Sequence, residues 1–497
     1  MLRTGLFLTF LVCIVSAPAG PEAKRQAESN AFHHKMVAQA NAADAKARPR
    51  AEKDPTRPTY HFQAPALWMN DPNGPIFYRG AYHLFYQHNP YGEDWGHMHW
   101  GHARSKDLVH WQHLPIALAP STDRGEEHCF SGCAVVNHGV PTIFYTSVGP
   151  KTPPGDGAVQ WMATSRDGMR TWDKYPGNPV LTGRLHKALK VKEWRDPFAW
   201  LEGDTWYMVL GGHREGGHGC ALLYRSANLT DWRFLHVLYE GKEDNWECPS
   251  FFKLGDRWVL VYSPHGVVKY YTGMLDRDLR FHPERHGSID LSTTYYAPNS
   301  LADGKGRRIM WGWVRVKGEG WNGMLSLPRV LTMRRDGRLG MAAAPELQAL
   351  RGEHHRVAHR TVKPDSPHIL TEVHGDCLEV QVEFEPGDAT SFGLMRQTPD
   401  GKNVPLASFD RTRKELRAGM AGGGFELLEV EKTLTLDIFL DRSVMEVYAN
   451  GRECVTSPLT LGSVDRLGFF ALNGSAKIKS ADVWRMKPAH KAGRSKG

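Results

Sequence analysis

Three carboxylates in this chain stand in similar short strings. Asp71 and Asp196 each directly precede a proline, and Glu247 precedes Cys248 and then a proline. A tryptophan also lies within three residues before each carboxylate. Taken singly, each string is compatible with a turn in which the carboxylate only caps backbone N–H groups. The repetition of the same setting three times favours a shared chemical role.

Carboxylates that converge among aromatic side chains are typical of sites that break glycosidic bonds. In such sites one acid protonates the leaving oxygen, and a second carboxylate attacks the sugar or stabilises an oxocarbenium ion. Aromatic faces stack on sugar rings, although many of the 16 tryptophans must simply fill a core. Because the three carboxylates are far apart in the sequence, this chemistry requires a fold that brings them together.

A repeat in the sequence predicts such a fold. Five hydrophobic, strand-like runs follow one another at intervals of about 50 to 65 residues. They are residues 81–86, 141–146, 206–210, 258–262 and 309–314. A strand-rich unit that recurs at such a period is typical of a propeller blade with four strands. The five copies predict a five-bladed β-propeller over residues 60–350, with an all-β sandwich as the alternative.

A second signature accompanies the repeat. The pattern Ser-x-Asp or Ser-x-Asn followed by a tryptophan begins at Ser105, Ser165 and Ser226, and residues 276–281 resemble a weaker fourth copy. Each of the three carboxylates lies shortly before one of the repeated strands. Because a propeller points equivalent positions of its blades at one axis, we expect the three carboxylates to meet at the central channel.

Beyond the repeat the pattern predicts a second domain. Residues 345–360 suggest a short linking helix, and residues 351–368 are assigned to a linker. Residues 369–484 alternate apolar and polar residues as strands do, and Asn450-Gly451 is a strong hairpin turn. We therefore expect a C-terminal β-sandwich there, followed by a basic, disordered tail over residues 485–497. The simplest role of the sandwich is to pack against the propeller, with sugar binding as the alternative.

The first residues have the features of an export signal. A positive charge at Arg3, an apolar run over residues 6–15 and Ala-Pro-Ala at residues 17–19 predict a secretory signal peptide over residues 1–19. Residues 20–59 are rich in Ala, Lys, Arg and Glu and are interpreted as a pro-segment or flexible leader. We therefore expect a secreted, extracellular protein; a buried helix at the start of the chain is the alternative.

The net charge of +8 on 497 residues would suit a nucleic-acid or membrane partner. The position of the charges argues against both. Arg3, residues 20–59 and residues 485–497 together carry +9, which leaves about −1 for residues 60–484. A near-neutral body suits an uncharged substrate, so neither partner is expected. The 41% apolar and 23% charged residues also exclude a disordered or fibrous chain.

Cysteines give a weaker signal. Six of them lie outside the predicted signal peptide, and no C-x-x-C pair occurs in the sequence. Cys377 and Cys454 could form a disulfide, which the sequence leaves open. Cys248 is expected to be a free thiol that tunes the neighbouring Glu247. The sequons at Asn228 and Asn473 are candidate glycan sites.

Histidines and glycine-rich loops do not predict a cofactor. His97, His99 and His102 lack a nearby cysteine or carboxylate cluster, so hydrogen-bonding roles are expected rather than a metal site. The sequence contains no phosphate-cradling loop or nucleotide fingerprint. We therefore expect neither a metal nor an organic cofactor.

Several strings together resemble glycoside hydrolase family 32, the invertases and fructan hydrolases. Trp-Met-Asn-Asp-Pro-Asn-Gly at residues 68–74 looks like the family's sucrose-binding box, and residues 195–197 and 247–249 look like its other two signatures, in the same order. The similarity runs from about residue 60 to residue 484. Secondary strings that match are residues 85–90, 98–102, 130–132, 325–329 and 441–451. The resemblance implies a five-bladed propeller followed by a β-sandwich, in agreement with the repeat.

The resemblance also implies roles for individual residues. Asp71 would be the nucleophile that attacks the anomeric carbon of a fructosyl unit, and Glu247 would be the general acid and base. Asp196, with Arg195 beside it, would hold fructose hydroxyls and stabilise the transition state. The expected sugar-binding residues are Trp68, Asn70, Gln87, Trp95, Phe130, Ser131 and Arg195.

Physical chemistry sets conditions on these roles. Asp71 must stay ionised and so needs hydrogen-bond donors, whereas Glu247 must keep its proton near neutral pH. A retaining mechanism predicts that the carboxyl groups of Asp71 and Glu247 lie about 5–5.5 Å apart. A separation in the inverting range of roughly 6.5–9.5 Å would contradict the nucleophile assignment.

The expected activity is hydrolysis of terminal non-reducing β-D-fructofuranosides, with sucrose as the favoured substrate. An inulinase or levanase would share the fructose site, and a fructosyltransferase would differ only in the acceptor that resolves the intermediate. A catalytically silent fructan-binding protein is the alternative from a different class. The presence of all three carboxylates argues against that alternative. The sequence does not indicate an oligomeric state.

Overall fold

The computed structural model describes residues 21–149, 158–462 and 465–489. The predicted signal peptide and residues 490–497 of the predicted tail lie outside these described residues. Within the described ranges the chain forms 34 β-strands, one long α-helix and three short 3₁₀ turns. The predicted all-β class is therefore confirmed.

The first 21 strands build five consecutive antiparallel blades. In the first four blades the strands follow one another in chain order from the channel outwards. Blades 1 and 2 are β1 Leu67–Tyr78, β2 Ala81–Asn89, β3 His99–Ser105, β4 Trp111–Leu118, β5 His128–Asn137, β6 Val140–Val148, β7 Ala158–Thr164 and β8 Asp173–Lys174. Blades 3 and 4 are β9 Val191–Glu202, β10 Thr205–Arg214, β11 Gly219–Ser226, β12 Arg233–Glu240, β13 Glu247–Leu254, β14 Arg257–Ser263, β15 Lys269–Leu275 and β16 Phe281–Ser288. Blade 5 is β17 Tyr295–Ala302, β18 Arg308–Gly318, β19 Trp321–Leu325, β20 Arg329–Met333 and β21 Leu339–Ala343.

The blades close into a ring. Their innermost strands β1, β5, β9, β13 and β17 contact one another in this cyclic order, and β17 contacts β1. Strand β19 pairs with the second half of β18 and also, in parallel, with the start of β1, where Trp68 faces Asn322. Blade 5 is thus hydrogen-bonded to blade 1. The five-bladed propeller predicted from the repeat is confirmed.

The Ser-x-Asp/Asn signature forms the same turn in three blades. Ser105 and Ser226 are the last residues of the third strand of their blades, and Ser165 directly follows it. Each hydroxyl lies within 3.2 Å of the side-chain oxygen two residues later. That side chain in turn accepts backbone N–H groups of the turn. Asp276 caps the corresponding turn of blade 4. The signature is therefore structural and lies away from the channel.

Every innermost strand contains a β-bulge at the same level. Between the two residue pairs that flank the bulge, the innermost strand advances by three residues and the second strand of the blade by two. The innermost strand therefore contains one extra residue at this level. A bulge re-aims side chains, and bulges are common next to active sites. The bulged segments are residues 69–72, 129–132, 195–198, 247–250 and 296–299. They form one ring of irregular backbone at one end of the channel.

The leader that was expected to be flexible is helical. Helix α1 Pro21–Lys53 lies against β4 and β1 and buries His33, Ala40 and Ala51. The backbone N–H of Ala119 donates to His33 Nε2 over 3.1 Å. The Ala-, Lys- and Glu-rich composition that suggested disorder also has a high helix propensity, and small buried residues replace the aromatic contacts that the sequence lacks. No helix in the described ranges combines the length and apolarity needed to cross a membrane.

The remaining strands form a two-sheet sandwich with its own apolar core. One sheet has the order β22-β34-β25-β30-β31-β32 with β23 beside β34, and the other has the order β24-β33-β26-β27-β28-β29. The first bounds are β22 Arg351–Val357, β23 Arg360–Val362, β24 His368–Ile369, β25 Cys377–Glu385, β26 Ser391–Gln397, β27 Asn403–Asp410 and β28 Glu415–Ala418. The last are β29 Ala421–Gly424, β30 Leu434–Asp441, β31 Val444–Ala449, β32 Glu453–Pro458, β33 Arg466–Leu472 and β34 Ala476–Met486. The predicted β-sandwich is confirmed.

Two expectations at the edges of the sandwich were wrong. The linking helix is only a 3₁₀ turn at Pro345–Leu350, and the expected linker 351–368 supplies β22 and β23, which pair with β34. The expected tail begins later than residue 485, because β34 continues to Met486 and the next residues donate backbone hydrogen bonds to Leu350 and Thr59. In both places strand pairing across the sandwich orders residues whose composition alone suggested a loop.

A buried charged network joins the two domains. His61 of the propeller lies 2.9 Å from Asp441 Oδ2 and 3.2 Å from Glu446 Oε1 of the sandwich. Glu446 also accepts from Arg329, which pairs with Asp290 over 2.8 Å. All five side chains are at most 1% exposed. Because removing one partner would leave a buried charge unpaired, the network fixes how the sandwich sits on the propeller.

We expect this network to make the fold less stable at alkaline pH. Burial alone would lower the pKa of His61, but hydrogen bonds and charge from Asp441 and Glu446 raise it to about 9. The folded pKa lies above the unfolded value of about 6.5, so the stabilisation is complete below pH 6.5 and is lost as the pH rises through about 9. The thermal midpoint should fall over this range in the wild type and fall less in His61→Ala. An equal fall in His61→Ala would contradict the assignment, and the exposed His359→Ala serves as the control.

Candidate active site

The bulged segments open into one cleft at the end of the channel. Its volume is about 420 Å³. Asp71, Asp196 and Glu247 all line this cleft. The seven expected sugar-binding residues line it as well: Trp68, Asn70, Gln87, Trp95, Phe130, Ser131 and Arg195. Five further lining residues are Cys248, His265, Tyr296, Trp313 and Arg315. The structure thus brings together all ten residues that the sequence singled out.

The three carboxylates come from equivalent segments but not from the same position within them. Asp71 is the third residue of its bulged segment, Asp196 the second and Glu247 the first. The expectation of equivalent places is correct for the segment and wrong for the position. Because successive residues of a strand face different directions, the offset gives each carboxylate its own set of partners.

The partly buried Asp71 has the donors that a carboxylate nucleophile requires. Ser131 Oγ donates to its Oδ2 over 2.6 Å, and Asn70 Nδ2 donates to its Oδ1 over 3.0 Å. The indole N–H of Trp68 donates to Asn70 Oδ1 over 2.7 Å, which fixes the orientation of the amide. Burial raises the pKa of Asp71, and the hydrogen bonds from Ser131 and Asn70 oppose this rise. The donors therefore favour the ionised form that burial disfavours.

Glu247 is surrounded by cationic and hydroxyl groups. Arg195 Nη2 donates to Glu247 Oε1 over 2.6 Å, and the hydroxyl of Tyr296 donates to Oε2. His265 Nε2 lies 3.2 Å from Oε1. Burial would raise the pKa of Glu247, but the charge of Arg195 and the hydrogen bonds from Tyr296 and Arg195 lower it below its ordinary value.

Asp196 contacts Cys248 and Arg195, each of which also contacts another of the carboxylates. Its Oδ2 accepts the backbone N–H of Cys248 over 2.8 Å and lies 4.0 Å from Arg195 Nε. Burial raises the pKa of Asp196 to about 7, with the charge of Arg195 opposing the rise. Its backbone has a left-handed φ of 63°, and its N–H donates to Thr146 Oγ1 over 2.9 Å. This conformation is costly for a residue other than glycine, and the bulge holds it in place.

Cys248 is a free thiol, like the other five cysteines of the described residues, so Cys377 and Cys454 form no disulfide there. Its Sγ lies 3.4 Å from Asp71 Oδ2 and 3.5 Å from Asp196 Oδ2. The expectation that it tunes Glu247 is therefore corrected, because its hydrogen-bond contacts go to the two aspartates.

The pKa directions of Asp71 and Glu247 are the reverse of those expected from their roles. The pKa of Asp71 is raised, and that of Glu247 is lowered. The difference arises because Arg195 pairs with Glu247 and not with Asp71. A sugar hydroxyl that competes for the guanidinium would weaken this ion pair and raise the pKa of Glu247. Arg195 is therefore the charged group that most favours the ionised form of Glu247.

We expect Tyr296→Phe to shift the alkaline limb of kcat/KM to higher pH. The hydroxyl of Tyr296 favours the ionised form of Glu247, so its removal raises the pKa of Glu247 and keeps the acid protonated over a wider range. A profile of kcat/KM against pH measures the limb. Tyr295→Phe is the matched control, because the Tyr295 hydroxyl is buried and has no partner in the described part of the chain. A limb that moves to lower pH, or not at all, would contradict the role of Tyr296.

Four residues of the cleft were not anticipated from the sequence. Tyr296 had a usable signal, since Tyr-Ala-Pro at residues 296–298 matches Glu-Cys-Pro at residues 247–249 and stands in the equivalent bulged segment. Trp313 lies in the fifth repeated run, residues 309–314, and Arg315 directly follows it. Both were interpreted as part of a hydrophobic strand and not as residues of a site. His265 lies in the loop after β14 and had no sequence signal.

The histidines have structural contacts. His99 Nδ1 hydrogen-bonds to the carbonyl of His97, and His102 Nε2 lies 3.0 Å from His83 Nδ1 while its ring stacks on Phe85. Burial lowers the pKa of His99 to about 3. Among the described residues, no group of three His, Cys, Asp or Glu side chains could hold a metal ion.

Comparison with protein families accounts for nearly the whole described chain. Residues 61–343 match the model of the glycosyl hydrolases family 32 N-terminal domain, and residues 346–485 match the family 32 C-terminal model. The two matches meet at the 3₁₀ turn that separates the propeller from the sandwich.

Individual relatives agree with the family match. A sucrose-6-phosphate hydrolase of Escherichia coli is 35% identical over 86% of this chain and 94% of its own length. A raffinose invertase of Escherichia coli is 33% identical over 86% of this chain and 95% of its own. Among solved structures, a family 32 β-fructofuranosidase of Bombyx mori has a TM-score of 0.77 at 29% identity and covers 92% of this chain and 100% of its own. A variant of the Bombyx mori enzyme was solved in complex with sucrose. The chain belongs to glycosyl hydrolase family 32 and is a glycoside hydrolase.

Proposed function

We propose that this hydrolase is a retaining β-fructofuranosidase whose principal substrate is sucrose. The observation that carries the proposal is that two partly buried carboxyls in one cleft have different partners. Asp71 is held by neutral donors only, whereas Glu247 is held by a cation that a sugar can displace. Once a sugar hydroxyl weakens the Arg195–Glu247 ion pair, the pKa of Glu247 rises, and the two carboxyls then have the separate environments that a nucleophile and a general acid require.

The proposed first step forms a fructosyl–enzyme ester. An oxygen of the Asp71 carboxylate attacks the anomeric carbon of the fructosyl unit, and the bond from that carbon to the glycosidic oxygen breaks. Glu247 gives its proton to that oxygen, and the second sugar leaves as a neutral alcohol. Ser131 and Asn70 hold Asp71 in place for the attack.

The proposed second step releases fructose. Glu247, now a carboxylate, takes a proton from a water molecule while the water oxygen attacks the anomeric carbon. The bond to Asp71 breaks, and the nucleophile returns to its ionised form. Asp196 and Arg195 line the same cleft and hold the fructose hydroxyls, with hydrogen bonds that strengthen as positive charge develops on the ring.

A product assay tests this function. Sucrose, raffinose, inulin and levan are offered side by side at equal concentrations of terminal fructose. Release of glucose and fructose from sucrose, with slow release from the polymers, supports the proposal, whereas preferred hydrolysis of inulin or levan would replace sucrose as the substrate. In added methanol, a retaining enzyme forms the methyl β-fructofuranoside; formation of the α-anomer would reject the double displacement.

A phosphorylated sucrose is a second candidate substrate. Arg315 lies at the cleft with its guanidinium over the rings of Tyr296 and Trp313, 4.4 and 4.8 Å from their centroids. No carboxylate of the described residues lies within 4.0 Å of it, so the cation is available for an anionic group on the second sugar. Four curated relatives are sucrose-6-phosphate hydrolases. Comparing kcat/KM for sucrose and sucrose 6-phosphate distinguishes the candidates.

We further propose that the protein is exported and acts outside the cell. The support is the signal-like sequence over residues 1–19. Asn228 and Asn473 are both exposed, so a glycan could be attached to either. Expression with and without residues 1–19 tests export: activity should appear in the medium only with the full sequence, and equal activity in the medium from both forms would reject it.

A further inference from the structure

The innermost strands of the propeller line a second pocket beyond the bulges. Its volume is about 160 Å³, well below that of the active-site cleft. Residues that follow the bulged segments on several blades contribute to it, among them Gly74 on β1, Ala134 on β5, Trp200 on β9 and Ser300 on β17. Arg308 of β18 supplies its charge. The family's reaction as derived above uses none of these residues.

Hydrogen-bond donors line this pocket without matching acceptors. Ser300 Oγ and Trp200 Nε1 are buried and have no partner among the described residues. The guanidinium of Arg308 makes no hydrogen bond and no ion pair within the described ranges, and burial is the sole cause of its pKa shift, to about 9. Arg308 therefore remains cationic at neutral pH.

The neighbouring groups do not compensate this cation. The guanidinium lies 3.9 Å from the ring centroid of Phe252, and such a contact stabilises its face but leaves its N–H groups without acceptors. The side chain of Asn299 already donates to the carbonyl of Gly132 and accepts the backbone N–H of Ser300. No aspartate or glutamate is among the lining residues. An unpaired, partly buried cation is costly unless an anion joins it.

We propose that this pocket binds a small tetrahedral oxyanion, inorganic phosphate or sulfate, through the guanidinium of Arg308. The hydroxyl of Ser300 and the indole N–H of Trp200 are the further donors. Planar guanidinium groups match such oxyanions with two parallel hydrogen bonds. The pocket has room for several water molecules, which is sufficient for one oxyanion. Because the donors belong to blades 3 and 5, a bound oxyanion links two blades across the channel.

The test measures binding and thermal unfolding of the full chain in phosphate, in sulfate and in chloride at equal ionic strength. We expect phosphate and sulfate to raise the thermal midpoint of the wild type by a few degrees relative to chloride, since a ligand that binds only the folded state stabilises it. Equilibrium dialysis with radioactive phosphate should give one site per chain that depends on Arg308. Arg308→Gln and Arg308→Met should abolish both effects, whereas the exposed Arg166→Gln should retain them.

Arg308→Met keeps the proposal testable if Arg308→Gln does not fold. Methionine removes an uncompensated charge while it keeps an apolar side chain, so in chloride this variant should be at least as stable as the wild type. Several results would overturn the proposal. They are the absence of an oxyanion-specific effect on the wild type, full phosphate binding by Arg308→Met, or loss of binding in Arg315→Gln, which would place the anion in the active-site cleft. If the protein binds glucose 6-phosphate but does not bind inorganic phosphate, a small oxyanion is also rejected as the ligand.

Discussion

Asp71→Asn is expected to lower kcat on sucrose by at least about 10³-fold. The amide has nearly the same shape as the carboxylate, but its oxygen is a poor nucleophile and carries no charge to stabilise an oxocarbenium ion. Ser131 can still donate to the new side chain, so the cleft should keep its shape. Steady-state release of glucose from sucrose measures the loss, and KM should change far less than kcat.

A carboxylate elsewhere in the same blade provides the control. Asp107 caps the turn between β3 and β4, where it accepts the backbone N–H groups of Val109 and His110. Asp107→Asn should leave kcat within a factor of about two while it changes the thermal midpoint slightly, since surface substitutions usually have small effects. Asp71→Asn activity within tenfold of the wild type would reject Asp71 as the nucleophile.

The repeat was sufficient to predict the fold because every blade repeats the same local rules. Hydrophobic second strands and the capped turns after Ser105, Ser165 and Ser226 recur at a regular spacing, so the number of blades could be counted. Helix α1 has no repeat of this kind. The helix is ordered by contacts with β4 and β1, and the sequence of the helix itself gives no sign of these contacts. A flexible leader was expected for this reason.

The three carboxylates of the site were predictable because each stands in a short string that ends in proline. The bulges themselves depend on pairing with a second strand, and only that pairing shows that Asp71 and Asp196 occupy different positions of their segments. The pKa shifts of Asp71 and Glu247 were the property of the site that the sequence predicted least well. Arg195 and Glu247 are 52 residues apart in the sequence. Their ion pair nevertheless decides the direction in which the pKa of Glu247 shifts.

The second large effect is expected for Glu247→Gln, which should lower kcat on sucrose by about 10²–10⁴-fold. The amide cannot give a proton to the leaving glucose. The size of the loss should therefore depend on the leaving group: formation of the fructosyl–enzyme from p-nitrophenyl β-fructofuranoside, which needs no proton on its leaving oxygen, should be slowed far less. Glu193→Gln is the matched control, because Glu193 also pairs with Arg195 but is exposed and lies outside the residues that line the cleft.

Removing the base should also make the second step of Glu247→Gln slow, since no carboxylate is left at this position to take the proton from water. Azide is already an anion and needs no base, so added azide should restore turnover of the p-nitrophenyl substrate and yield the β-fructosyl azide with retention. The alkaline limb of the pH profile should disappear as well, because that limb reports the proton of Glu247. Equal losses on both substrates, together with an unchanged alkaline limb, would show that Glu247 positions Arg195 without transferring a proton. Asp196 would then be the next candidate for the general acid, because its pKa of about 7 fits that role.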